Sequence, residues 1–522
     1  MAQAVAVVNA TLTATGSGTT DFTSSGFGTP TAAIVIVSNA NTTNNPQPSV
    51  GLSIGFWDGT NQCCHSIYAV DALATTQAYR VSKNNYISAL VSSSTTWSVG
   101  YQASGITDGI RLTMAVDNSS AQRYATVILL KGVSAKIARL TLNSTVNSTA
   151  TTGSLGFAPT AAIVLGSGAA GNTPNSGSSQ VASALLSFGA ATDDGTHRML
   201  AWISESAAAT ATLTALYSET RAAAQVSGGA ENWSAEVTAW GSDDLTMTSR
   251  TAGSGGDDVD ILCLGGADLS LLLGTLTTAT STGSVDVATT GIDPDAVLLC
   301  LGNTSSTTIA SDGTASGISV GISDGTTHGG YAGVDEDAAD TTNAESKYDS
   351  TNAVYSRTSA SGTASDLVVG AVSMGSELFA VNYTTVSGTA RKGWWLAFGP
   401  AAGGGSTSLT VADALHAHSA DALVLTSLTA LTVAEALHAH AADNVVLTSQ
   451  TAITVAEALH AHAADNVVLT SQTAITVAEA LHAHAADNVV LEIAGATNLS
   501  VADALHAHAA DSVVLTSQIA IV

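Results

Sequence analysis

The sequence predicts a mainly β protein: three tandem β-sandwich domains of jelly-roll type, then a tail of 22-residue repeats built as a solenoid or a fibre. Three observations carry that expectation. Three apolar words recur in the same order three times before residue 400. Gly, Ser and Thr are abundant and charged residues make up only 11 % of the chain, which suits short strands joined by tight turns. After residue 408 a histidine pair returns on a fixed beat.

The first word is GFGTPTAAIVIVS around Pro30, GFAPTAAIVLGS around Pro159 and, more distantly, GIDPDAVLLCLG around Pro294. The second is GLSIGFWDGT ending at Thr60, LLSFGAATDDGT ending at Thr196 and GISVGISDGT ending at Thr326. The third is YATVILLKG from Tyr124, VDILCLGG from Val259 and GWWLAFGP from Gly393. A period of about 130 residues makes these three copies of one unit. The boundaries follow as 1–138, 139–273 and 274–400. Apolar runs bounded by Gly, Pro, Asp and Ser read as strands, and the Asp-Gly pairs read as turns. In LSIGFW, alternation puts Leu52, Ile54 and Phe56 on one face and Ser53 and Gly55 on the other. The exception is ALYSETRAAAQ from Ala215, which has the composition of a helix.

Residues 401–408 are a Gly/Ser linker, and residues 409–522 hold five repeats. Their histidine pairs are His416/His418, His438/His440, His460/His462, His482/His484 and His506/His508, at intervals of 22, 22, 22 and 24. Each repeat opens like a helix capping box: Thr410/Asp413, Thr432/Glu435, Thr454/Glu457, Thr476/Glu479 and Ser500/Asp503. Ala and Leu follow, then an Asp-Asn or similar stop and a Val-Val-Leu strand. Two readings stand. Local propensity favours a helix-plus-strand solenoid. The alternation of Leu459, Ala461 and Ala463 with His460 and His462 fits an all-strand coil instead.

The histidines are the candidate metal ligands. In a strand, H-x-H turns two imidazoles the same way, and three chains would supply six nitrogens, which suits a transition metal. In a helix, neighbours two apart diverge, and the histidines stack or pair with acids such as Glu457 and Asp465. No nucleophile elbow, phosphate loop, zinc-protease motif or paired-carboxylate motif appears, so no enzyme activity is expected. His65, His197 and His328 follow the Asp-Gly turns at unequal offsets. Cys263 and Cys300 lie in apolar runs and read as buried thiols, and neither they nor the adjacent Cys63 and Cys64 have zinc-site spacing.

A formal charge of −27, with 14 Lys and Arg against 41 Asp and Glu, argues against nucleic acid and anionic membranes as partners. The opening MAQAVAVVNATLTATG has no basic segment or long apolar stretch, so neither a secretory signal nor a membrane span is expected.

The tail, from Leu409 to Thr426 and in four later copies, resembles histidine-rich LTVADA-x-HAH-x-ADN-x-x-LT repeats of predicted structural proteins of tailed bacteriophages. More distantly it is similar to phage tail fibres whose H-x-H pairs bind iron on a trimer axis. The triplicated region looks like β-sandwich modules of phage tail, fibre or decoration proteins. The resemblance implies a virion component assembled in the host cytoplasm and displayed as fibre, spike or decoration. Its partners would be other virion proteins and copies of itself, with a trimer favoured. Two alternatives remain at this point. One is a receptor module binding host surface glycans through Trp57, Trp97, Trp233, Trp394 and Trp395. The other is a bacterial surface-layer or adhesin protein.

Overall fold

A computed structural model describes residues 5–12, 18–70, 77–91, 97–118, 121–143, 145–167, 181–205, 214–227, 229–251, 257–266, 270–307, 310–311, 315–336, 343–357 and 366–400, and strand backbones between 408 and 517. The chain is mainly β, and no helix occurs among the described residues. It divides into two compact units, Met1–Ala402 and Gly403–Val522.

The first unit holds three large and three small antiparallel sheets. The first large sheet runs Val5–Leu12, Arg123–Leu130, Ala32–Ser38, Val50–Trp57, Gln62–Ala69 and Ala78–Lys83. The second runs Ser134–Leu142, Asp257–Gly265, Ala161–Gly166, Ala184–Thr192, His197–Ser204 and Thr214–Ser218. The third runs Ser270–Thr277, Lys392–Gly399, Ala296–Gly302, Ala315–Ser323, His328–Glu336 and Asn343–Asp349. The three recurrent words thus occupy the same three adjacent strands in every large sheet. The stretch from Ala215 is no helix: Thr214–Ser218 and Ala223–Ser227 are strands joined by a turn. Burial explains why, since Ala215, Tyr217, Ala223 and Val226 all pack into the core and tertiary contacts override a weak local preference.

Each large sheet is buried on both faces. On the first word, Ala33, Val35 and Val37 pack toward the small sheet Thr19–Thr23, Gly109–Asp117, Trp97–Ile106 and Ser88–Val91. Ala32, Ile34 and Ile36 join a second cluster that also holds Ala161, Ile163 and Leu165 of the second copy and Ala296, Leu298 and Cys300 of the third. The three large sheets therefore share one central core. Double burial is the reason these strands read as unbroken apolar runs. The predicted alternation of LSIGFW holds: Leu52, Ile54 and Phe56 enter the shared core. On the other face Ser53 accepts a 3.3 Å bond from the Ala89 amide. The glycines of this strand are a packing requirement. A Cβ on Gly55, Gly189 or Gly321 would lie 1.8, 2.1 or 1.9 Å from the carbonyl oxygen of Ile87, Ala222 or Ala353.

The Asp-Gly pairs are turns, with Gly59, Gly195 and Gly325 at φ of 89°, 86° and 86°. Asp58, Asp194 and Asp324 each accept backbone N–H bonds from the residues just after that glycine.

Each large sheet then gains a seventh strand from another copy. Val181–Ala182 of the second copy pairs with Ala78–Lys83 of the first. Ala310–Ser311 of the third pairs with Thr214–Ser218 of the second. Gln47–Pro48 of the first pairs with Asn343–Asp349 of the third. The exchange is cyclic and closes on itself.

The second unit holds three parallel five-stranded sheets. Every repeat sends one strand to each: for the third repeat, Ala452–Val455, Leu459–Ala461 and Ala464–Ser471. Among the described residues the helix predicted from the capping boxes does not appear: Thr410, Thr432, Thr454, Thr476 and Ser500 lie in strands, and so does each Leu-His-Ala, while Asp413, Glu435, Glu457, Glu479 and Asp503 lie outside the described residues. Local capping is worth about 1 kcal/mol. In-register pairing of each repeat with the next satisfies a whole strand of backbone groups. The longer last interval is absorbed between strands: Ile493 and Asn498 bracket it, and both keep their registered partners.

Candidate functional site

One set of polar and aromatic side chains of the first unit gathers at the seams where one copy meets the next, while the ion pairs Arg111–Asp21, Arg250–Glu236 and Arg357–Glu345 lie within single copies. Four positions, equivalent by sheet register, build each seam. Two are a pair across the first and last strands of a large sheet: Asn9↔Thr126, Arg139↔Asp260 and Thr275↔Trp394. Two are a pair across its far strands: His65↔Ser82, Leu200↔Tyr217 and Tyr331↔Tyr348.

Between the first and second copies these positions make an ionic lock. His65 Nε2 lies 2.8 Å from Asp260 Oδ2. A carboxylate only accepts, so Nε2 carries the proton. Arg139 donates to both oxygens of Asp260, at 2.8 and 2.6 Å, and to Ser82 Oγ at 3.0 Å. Asp260 is 1 % exposed. Burial alone would raise its carboxyl; the bonds from Arg139 and His65 overcome that and hold it below the usual carboxylate range. Arg139 is likewise raised, despite burial, by its paired bonds to Asp260.

Between the second and third copies the lock is aromatic. Trp394 stands edge-on to Phe188 at 4.9 Å between centroids, and its indole N–H donates to the Phe188 carbonyl at 3.1 Å. Tyr217 donates to Thr275 Oγ1 at 2.9 Å. Between the third and first copies the lock is hydroxylic. Tyr348 and Thr126 share a 3.0 Å hydrogen bond, Tyr348 stacks on Tyr124 at 5.1 Å, and Asn9 donates to the His328 carbonyl. This last seam is also backbone-rich: Asn44 N donates to Tyr348 O at 2.7 Å and Ser49 N to Ala344 O at 2.6 Å.

The other sequence candidates disperse. His197 Nε2 meets the Val237 carbonyl at 2.9 Å. His328 Nδ1 meets Ser323 Oγ at 2.7 Å, and burial lowers its pKa. All four cysteines are buried and free, and burial raises Cys64 to about 12. Trp57, Trp233, Trp394 and Trp395 are at most 5 % exposed and belong to the core, so they offer no sugar platform; the Trp97 side chain lies outside the described residues. Among the described residues no group of three or more His, Cys, Asp or Glu could hold a metal ion. In the tail, His416, His438, His460, His482 and His506 take one registered position on a single ladder. His418, His440, His462, His484 and His508 lie outside the described residues.

The seam locks had no sequence signal. His65 and Asp260 are 195 residues apart, and only the alignment of the repeated words, followed through the sheets, makes them neighbours.

No protein-family model matches the chain, and no curated protein matches it. Among solved structures, two of the outer membrane protein OpdK of Pseudomonas aeruginosa, one with vanillate, are similar at 9 % identity over 70 % of this chain and 97 % of theirs. Their TM-scores are 0.07 and 0.08, too slight a likeness to carry any argument about fold or function.

Proposed function

We propose that this chain is a non-enzymatic structural protein of a tailed-phage virion, displayed as a fibre, spike or decoration. In this reading it is built as three tandem jelly-roll-like β-sandwiches, a Gly/Ser linker and a β-solenoid tail of 22-residue coils. It assembles in the host cytoplasm with other virion proteins and with further copies of itself, a trimer being favoured. The tail histidines are its candidate metal ligands.

One observation carries the reading: both units devote their sequence to repeating one β element and fastening each copy to the next, by cyclic strand exchange in the first and parallel ladders in the second. The polar side chains gathered at the seams are used in fastening. The glycan-binding alternative loses its support with the burial of four of its five tryptophans.

The test is localisation. Purified virions of the phage that encodes the chain should contain it by mass spectrometry. Antibodies to residues 1–402 should decorate intact particles at regular external sites. Particles that lack the protein after density-gradient purification would remove the proposal.

A further inference from the structure

The three seams are equivalent in position and unlike in chemistry. A homotrimer has one seam repeated three times, because symmetry forces the same residues to meet. Here the same four positions carry an acid with a base, an indole with an aliphatic side chain, and paired hydroxyls. The seams also differ in covalent support. Only residues 131–133 join the first large sheet to the second, and residues 266–269 join the second to the third. Nothing of the kind spans the seam between the third and first copies, where Ser346 Oγ bonds to the Ser49 carbonyl across 297 residues at 2.9 Å. That unlinked seam is backbone-rich. Besides the Gln47–Pro48 strand and the two backbone bonds above, Ser346 donates to Asn39 and the Ser350 amide to Asn44.

We propose that residues 1–402 are a trimer made from one chain, and that the unlike lock residues assign each copy its neighbour. The partner for every seam surface is another repeat of the same molecule. A lock matched to the wrong seam buries the Arg139–Asp260 pair without His65 and Ser82, or sets Trp394 where a threonine fits, and either misplacement is costly. The unlinked seam closes the ring within one chain because tethering gives its two halves a local concentration in the millimolar range, roughly, above that of any second copy.

Two measurements on the full chain test this. Gln47→Cys with Ser346→Cys puts two thiols at registered positions across the unlinked seam. The four native cysteines are buried, so single-cysteine variants serve as controls. Oxidation should give one chain with an internal crosslink, running as a monomer on denaturing gels without reductant. A mixture of tagged and untagged chains should give no disulfide-linked mixed pairs on the same denaturing gels. Crosslinked dimers or trimers overturn closure within one chain.

Assignment by the locks is tested by rescue. Arg139→Asn with Asp260→Thr, or His65→Tyr with Ser82→Tyr, gives the first seam half of the hydroxylic lock. Each pair should lower Tm by about 5–10 °C, and all four changes together should recover about half of the summed loss or more. A fourfold variant whose loss equals the sum of the two halves overturns the assignment, since purely local damage adds.

Discussion

The two units solve one problem, covering the apolar face of a repeated β element, in opposite ways. In residues 1–402 equivalent positions have diverged: Thr126, Asp260 and Trp394 occupy one place in three copies. In the tail, equivalent positions have stayed alike: Leu447, Leu469, Leu491 and Leu515 follow one another in register, as do the ladder histidines. Geometry accounts for the contrast. A closed ring of three gives each copy its own neighbour, so each seam can specialise. A parallel stack gives every inner coil the same neighbours above and below, so a residue that suits one coil suits the next.

Deletion is the strongest way to break this comparison. Removing residues 452–473, one tail unit, should leave a tail one coil shorter and the unfolding of residues 1–402 unchanged. Removing residues 134–269 should abolish folding of the first unit, because two seams and a third of the shared core go together. Circular dichroism and limited proteolysis read both. A stable two-copy remnant would show that the ring is not cooperative.

Substitution at the one equivalent position should give a graded series. Trp394→Ala empties a fully buried site and leaves the Phe188 carbonyl without its donor, a loss of about 3–5 kcal/mol. Asp260→Ala strips His65 and Arg139 of their acid, and because Arg139 keeps some solvent contact the cost should fall at about 3 kcal/mol. Thr126→Val loses one hydroxyl bond to Tyr348, about 1 kcal/mol. Denaturant midpoints that came out equal would mean the three seams are energetically alike despite their chemistry.

Acidification separates the seams more gently. Burial lowers the pKa of His328, against the pull of Asp324 and Asp349. A base depressed in the fold contributes stability that is complete above its unfolded value near about 6.5 and lost as pH falls below it. Asp260 is also depressed, so its contribution is complete above about 3.9 and lost as pH falls through its lower folded value. The midpoint of unfolding should therefore soften first below about pH 6.5 and again below about pH 4. His328→Gln should remove the first step and Asp260→Asn the second. A profile flat from pH 7 to 5 in the wild type would contradict the first assignment.

What the residues disclosed follows from range. The three words marked the central strands, and the Asp-Gly pairs marked turns with left-handed glycines, because both signals are local. Burial of those strands on two faces was encoded in runs such as AAIVIVS, but a run cannot say what lies on its far side. The exchanged strands were hidden: Gln47–Pro48 and Ala310–Ser311 are two residues long and look like loop. In the tail, Ala-Leu content and capping boxes pointed to a helix, and pairing between copies 22 residues apart overrode them.

The smallest expected signal is the metal content of the tail. Successive strands of a sheet lie about 4.8 Å apart, so the registered histidines, His416 to His506, form a line with one member per coil. An octahedral transition-metal ion needs up to six donors around a point. In-register pairing sets these positions one per strand along the ladder, spread out and not gathered about one point. Elemental analysis of the purified protein should therefore find iron, zinc, nickel and copper well below one per histidine pair. Removing any trace with a chelator should leave the tail's circular dichroism unchanged. Metal near one ion per pair, stripped by chelator with loss of strand signal, would mean that the pairs act as ligands between chains. The tail would then depend on contacts between chains, and the contrast between a ring and a stack each complete within one chain would fail at its second half.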